Sequence, residues 1–472
     1  MAGDLTISWG NLDNLFTSMQ EIRNQGASID AYFSSEVCST AGFDYDYCVL
    51  KPISDQLVKV GGVFSDLRGV FEERWDGTVG AMITSAKQVD ATDNSVSFSF
   101  ERYRGDVYGP FVPQQVPQGV QIDVEAFPLE EVKPHLKAPG EGSKTIPHNK
   151  EWESITDGFD ALRDTINSGI DKINSLGVVS VDRLTEKSLD EFVVYPLSGN
   201  YLTIQGNAEA CDNVDNAMTE WSGNFSRISG KSLAAMGGDV GASLVAHLEL
   251  YHLVMRGVGE IVGLGSKVFD AIAKMSEKIA VSVENALVTM AKILLRVSTK
   301  IVSRVLSYFG WLLLAKDIVT KGTAAITDIV DDVKLCIEII QACFALKDAI
   351  EEWAESCAEQ LEAFEEMVTL VSQLPQAREG GGLGGLPPID PGTFETDLAD
   401  ITYDFGDSAA SEQSVDEELD DLEEDYPDDL ADDGGSSGGS GGDDFDLDDD
   451  EMLMAPGPLG VPGGSSSTLP MA

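Results

Sequence analysis

Basic residues are scarce in this chain. Lys and Arg together number 31 against 81 Asp and Glu in 472 residues, a formal charge of −50. A protein that grips nucleic acid must neutralise phosphates with Lys and Arg, so no nucleic-acid partner is expected. Docking on an anionic membrane through a basic patch is excluded for the same reason. Cysteine is also sparse. Six in 472 residues are too few for a disulfide framework, and none forms a C-x-x-C pair, so a zinc ribbon is unsupported. Of the four histidines, His135 and His148 lie among prolines. His247 and His252 are five apart, which misses the i, i+4 spacing of a helical zinc pair. Glu249-x-x-His252 matches half of a di-iron motif, but no second copy exists. No metal or cofactor is expected.

Long apolar runs are lacking too. The most apolar stretch, Ile301 to Val319, contains Arg304 and Lys316. Its uninterrupted part, Val305 to Ala315, falls short of the roughly 20 residues that a spanning helix needs. A buried core helix is expected there. The opening MAGDLTISWGNLDNLF has no basic segment followed by an apolar one, so no signal peptide is expected.

What is present is helical periodicity. Hydrophobic residues make up 43% of the chain, ample for a core. Trp9, Leu12, Phe16, Met19, Ile22, Ile29 and Phe33 recur mostly at three- and four-residue steps, which line one helix face. Leu57, Val60, Phe64, Leu67, Phe71, Trp75, Met82, Ala86 and Val89 repeat the pattern. Two such helices joined by one loop predict an antiparallel hairpin over residues 1–98. Cys38 and Cys48 fall in the connecting loop, and form a candidate disulfide if the protein meets an oxidising compartment. Seven prolines punctuate 99–149, a linker with no long helix and one alternating piece, VQIDVEAF, that suggests a short strand. Residues 150–374 predict a helical body. Its helix starts include Gly199-Asn200, and its breaks or close-packing points include Gly237-Gly238, Gly263, Gly265, Gly310 and Gly322. Residues 375–472 hold 27 acids and one base, Arg378, among Gly, Ser and Pro. Like charges repel and glycine costs entropy to order, so an acidic disordered tail is expected. The fold class is therefore mainly α: a helical hairpin, a long helical-bundle body and this tail.

The usual chemical motifs fail on inspection. Gly230-Lys231-Ser232 ends like a phosphate loop, but Phe225 stands where its first glycine must be. Gly257-x-Gly259 with Gly263 has the wrong spacing for a dinucleotide loop, and close helix packing is the expected role of those glycines. No G-x-S-x-G elbow occurs. No catalytic residues are expected.

Two segments carry a family resemblance. Trp221-Ser222-Gly223, after the helix start PLSGNY, resembles the helix-turn-helix hairpin of the WXG-type substrates of type VII (ESX) secretion systems of actinobacteria. Trp75-Asp76-Gly77, followed by AMITSAKQVDATDNSV, resembles the C-terminal helix end of short ESX-associated secreted proteins. The resemblance places Trp75, Gly77, Trp221 and Gly223 at hairpin turns. It also implies a Tyr-x-x-x-Asp/Glu signal beyond the hairpin. Val89 occupies the Tyr place before Asp93, whereas Tyr403 and Asp407 complete the pattern far downstream. The implied protein is non-enzymatic and is secreted or surface-bound by a route independent of a signal peptide. Its implied partners are the type VII export machinery or a helical protein, with a homo-oligomer as a further candidate. Two other readings stay open: a membrane-active or pore-forming protein making contact through residues 241–349, and a toxin's trafficking module without its catalytic domain.

Overall fold

The computed structural model describes residues 7–90, 127–140, 150–175, 183–184, 190–301, 327–374, 376, 391–404 and 409–426. The protein is mainly α-helical, and no strand forms among these residues. The one β feature is an isolated antiparallel bridge between Ile7 and Met236.

Eleven α-helices follow one another among the described residues: α1 (Trp9–Tyr32), α2 (Lys51–Asp90), α3 (Lys150–Ser175), α4 (Tyr195–Ser198), α5 (Tyr201–Ala235), α6 (Gly238–Lys300), α7 (Thr327–Ala345), α8 (Lys347–Leu361), α9 (Met367–Ser372), α10 (Pro391–Asp404) and α11 (Ala409–Asp425). A π-helical turn, Phe33–Val37, extends α1. The described residues all fall within one compact unit.

The N-terminal hairpin forms as the spacing predicts. Phe33 stacks on Phe64 with centroids 3.9 Å apart. Arg23 meets Glu72, and Trp75 reaches Met19. These pairs run in opposite directions along the chain, so α1 and α2 are antiparallel. The hairpin does not stand alone as a domain, because α1 packs more extensively on α5 than on α2. The same apolar face that meets α2 is wide enough to take a second helix.

The longest contact in the molecule is α5 against α6. The helix start predicted at Gly199-Asn200 is observed. Gly199 has φ +66°, a left-handed conformation that glycine adopts without a Cβ clash. Asn200 then caps α5, its side chain accepting from the Thr203 amide at 3.1 Å, one of the orphan N–H groups of the first turn. The chain reverses at Met236-Gly237-Gly238, as the paired glycines suggest. With 63 residues, α6 is about 95 Å long and outruns α5. Its far end is covered by α3 and α7, where Arg296 and Lys300 both reach Asp332, at 3.1 and 2.6 Å.

The α6 glycines serve packing. A Cβ on Gly259 would lie 2.8 Å from Met218, and one on Gly265 would lie 2.3 Å from the Phe364 ring. Neither breaks the helix. Gly310 and Gly322 lie outside the described residues, as does most of the apolar stretch 301–319.

Helical order extends past the boundary expected at residue 374. Within the segment assigned to the tail, Phe394 and Ile401 on α10 and Val415, Leu419 and Leu422 on α11 are buried. Their steps of three, four and seven residues make one apolar stripe on each helix, and both helices lie against α6. The stripe is hidden in the sequence by the density of Asp and Glu on the remaining faces. Residues 427–472 lie outside the described residues.

Candidate functional site

The two tryptophans singled out in the sequence converge on one place. Trp75 projects from α2 and Trp221 from α5, and both are buried against α1. Each indole N–H donates to a backbone carbonyl of that helix: Trp75 to Met19 at 3.2 Å and Trp221 to Ile22 at 2.8 Å. The acceptors lie three residues apart, almost one turn, so the two rings rest on a single face of α1. Both buried donors are thereby satisfied.

Phe71, Phe225 and Tyr251 close the cluster. Trp75 meets Phe225 edge-on at 5.2 Å and Tyr251 at 5.0 Å, while Trp221 meets Phe71 at 4.9 Å and Phe225 at 5.3 Å. Edge-to-face pairs at these distances favour the aromatic quadrupole. Trp221 also needs a gap in α1. A Cβ on Gly26 would sit 2.7 Å from its Cζ2, so only glycine leaves room for the ring. Burial pushes the Tyr251 hydroxyl well above the ordinary phenol range, which keeps it neutral.

Neither tryptophan lies at a turn, which corrects the placement implied by the resemblance. Trp75 and Gly77 are inside α2, and Trp221 and Gly223 are inside an uninterrupted α5. The reversal comes after Ala235. One glycine costs about 1 kcal/mol in a helix interior, far less than the apolar burial on both sides of Gly223 supplies. A Cβ at Gly223 would meet only the flexible end of Arg227, at 3.6 Å, so no tight approach requires glycine there. Asp93 and Asp407 lie outside the described residues. Tyr403 is the penultimate residue of α10.

Cys38 and Cys48 are both free and buried, as are the other four cysteines. The candidate disulfide is not formed in this structure. Cys38 instead faces α2 beside Gly61, a site where an added Cβ would lie 3.6 Å from its Sγ. Burial raises the Cys38 thiol to about 12 and Cys48 to about 11, so both stay protonated and unreactive as nucleophiles.

A polar hub borders the seam. Asn224, fully buried, donates from Nδ2 to Gln25 Oε1 and to the Glu130 carbonyl, both at 2.9 Å, while its Oδ1 accepts from the Glu130 amide at 2.9 Å and from Arg227 at 3.0 Å. The Glu130 carbonyl also accepts from Gln25 at 2.9 Å. Further along, Tyr32 donates to the Lys137 carbonyl. Residues 127–140 of the expected linker are thus a strap tied across α1 and α5. The available signal was Asn224 at a core position of α5, between Trp221 and Phe225. His252, expected on a helix face, donates from Nδ1 to the Ser222 carbonyl at 2.9 Å.

No group of His, Cys, Asp or Glu among the described residues could hold a metal ion. No described helix is long and apolar enough to cross a membrane. The α6 part of the 241–349 region, the alternative membrane contact, is largely buried between its neighbours. No family model, curated protein or solved structure matches the chain.

Proposed function

We propose that this chain is a helical interaction protein that is exported by a type VII secretion system, or acts within one, at or beyond the cell surface. Its working partners would be the export machinery and a helical protein or a second copy of itself. The observation that carries the reading is the convergence of two Trp-x-Gly segments, 146 residues apart in sequence, on one face of α1. In a WXG hairpin the tryptophan seals a seam between helices, and here two such segments seal the same seam. The second support is the Tyr-x-x-x-Asp pattern of Tyr403 and Asp407, whose tyrosine lies in the last turn of α10.

Fractionating the producing cell with and without its type VII export ATPase tests the reading. The protein is expected outside the wild-type cell and in the cytoplasm of the ATPase-deficient strain. Replacing Tyr403 and Asp407 by Ala should abolish most export while the melting curve stays unchanged. An identical distribution in both strains would refute secretion by this route.

A further inference from the structure

Residues 127–140 cross the groove between α1 and α5, and the two helices hold them chiefly by the backbone. Asn224 grips both polar groups of one residue, accepting from the Glu130 amide and donating to the Glu130 carbonyl, each at 2.9 Å. Gln25 donates to the same carbonyl at 2.9 Å. Upstream, the Phe127 amide donates to Ser18 Oγ at 2.7 Å. Downstream, the Lys137 carbonyl accepts from Tyr32 and, at 3.3 Å, from Asn213, and the Gly140 amide donates to Glu209 at 2.8 Å. Gln25 and Asn224 are buried. Burying such groups unpaired is costly, so their bonds to the strap are what make their burial tolerable.

Side chains of the strap add little to this hold. Among residues 127–140 only Val132 is buried, at 1% exposure. Glu130 offers its carboxylate to Arg227 at 3.1 Å, in a half-exposed pair. A cavity of 270 Å³ opens between α1 and strap residues 131–133, so the strap does not fill its groove. In peptide recognition, main-chain bonds supply affinity and side-chain pockets supply choice. Here the bonds suit any peptide of this non-helical conformation. The choice rests on two positions: an acid against Arg227 and a small β-branched side chain two residues on.

We propose that the groove between α1 and α5 receives a non-helical peptide segment of a partner protein, and that residues 127–140 are the chain's own competing occupant. The partner's segment would pair one residue's amide and carbonyl with Asn224, set that residue's acidic side chain against Arg227 and seat a valine in the place of Val132. A peptide bond offers the same donor and acceptor whether or not it belongs to this chain, which is why the strap can be exchanged for a segment of the same pattern. The strap then sets a threshold: a partner must outcompete a tethered occupant. The groove does not depend on the secretion reading.

Fluorescence anisotropy of a labelled peptide with the sequence of residues 127–140, titrated with the full chain, tests the proposal. The release variant Glu130→Pro/Val132→Asp removes the amide that Asn224 grips and the one buried strap side chain, and leaves α1 and α5 intact. It should bind the peptide at one site, about tenfold or more tightly than the parent, where a tethered competitor acts at roughly millimolar effective concentration. Adding Arg227→Glu to the release variant should weaken binding about threefold, the scale of an exposed ion pair, and Glu130→Lys in the peptide should restore it. Absence of saturable binding to a folded release variant, equal affinity for both chains, or a charge exchange that restores nothing would overturn the groove. Should the release variant fail to melt cooperatively, hydrogen exchange of the parent decides: several millimolar peptide should speed exchange of the chain's own Glu130 amide, and an unchanged rate would refute displacement. Dimers of the parent forming at rising concentration without peptide, and lost in the release variant, would overturn the partner in favour of strap exchange between copies.

Discussion

In the seam, Trp75 and Trp221 lie almost wholly out of solvent, interlocked with three further aromatic rings and bonded to the backbone of α1. At the acidic end, α11 offers α6 and α8 only a stripe of Val415, Leu419 and Leu422, and adds polar ties. Lys278 meets Asp416 at 2.7 Å, and Ser282 donates to Glu423 at 2.9 Å. The first region is held by burial from all sides. The second is held by burial on one side and by half-exposed charge on the other. The lesson is that helices of opposite composition join one body when each carries a continuous apolar stripe, whatever covers the rest of their surface.

The contrast can be broken by mutation. Trp221→Ala should destabilise the protein most, by about 3–5 kcal/mol in chemical denaturation, because the ring leaves a cavity and the Ile22 carbonyl loses its donor. A loss under about 1 kcal/mol would show that the seam does not hold the bundle. Leu419→Ala should cost about 2 kcal/mol, the low end for a buried leucine, since a helix with one solvated side can settle into the gap. If it matched Trp221→Ala, the two regions would be equally enclosed. Lys278→Ala should cost less than about 1 kcal/mol, because its pair with Asp416 is half exposed. That difference should vanish in about 1 M salt, where the Debye length is near 3 Å, whereas the cost of Trp221→Ala should persist. A Lys278 effect that survived high salt would mean that the lysine stem, not its charge, packs α11 in place.

Much of the architecture could be read before any contact was known. The three- and four-residue steps of α1 and α2, the cap at Asn200 and the reversal at Gly237-Gly238 all follow from local rules. The close packing at Gly257, Gly259 and Gly263 of α6 follows their spacing along the helix. The stripes of α10 and α11 are masked by the composition of the whole acidic segment. Period is a property of a single turn, and Phe394, Ile401, Val415, Leu419 and Leu422 keep it among the acids.

The candidate sites were legible only in part. Sequence alone determined that Trp75 and Trp221 belong on apolar helix faces and that the body is helical and acidic. These conclusions need only charge, volume and spacing along the chain. Tertiary structure decided that the two tryptophans share one face of α1, that Gly26 makes room for one of them, and that Cys38 and Cys48 remain apart as thiols. It also decided that Asn207 of α5 ties to the Val37 and Ser39 carbonyls after α1. Each of those facts depends on residues tens to hundreds of positions apart, and the sequence carries no local signal of which helix faces meet.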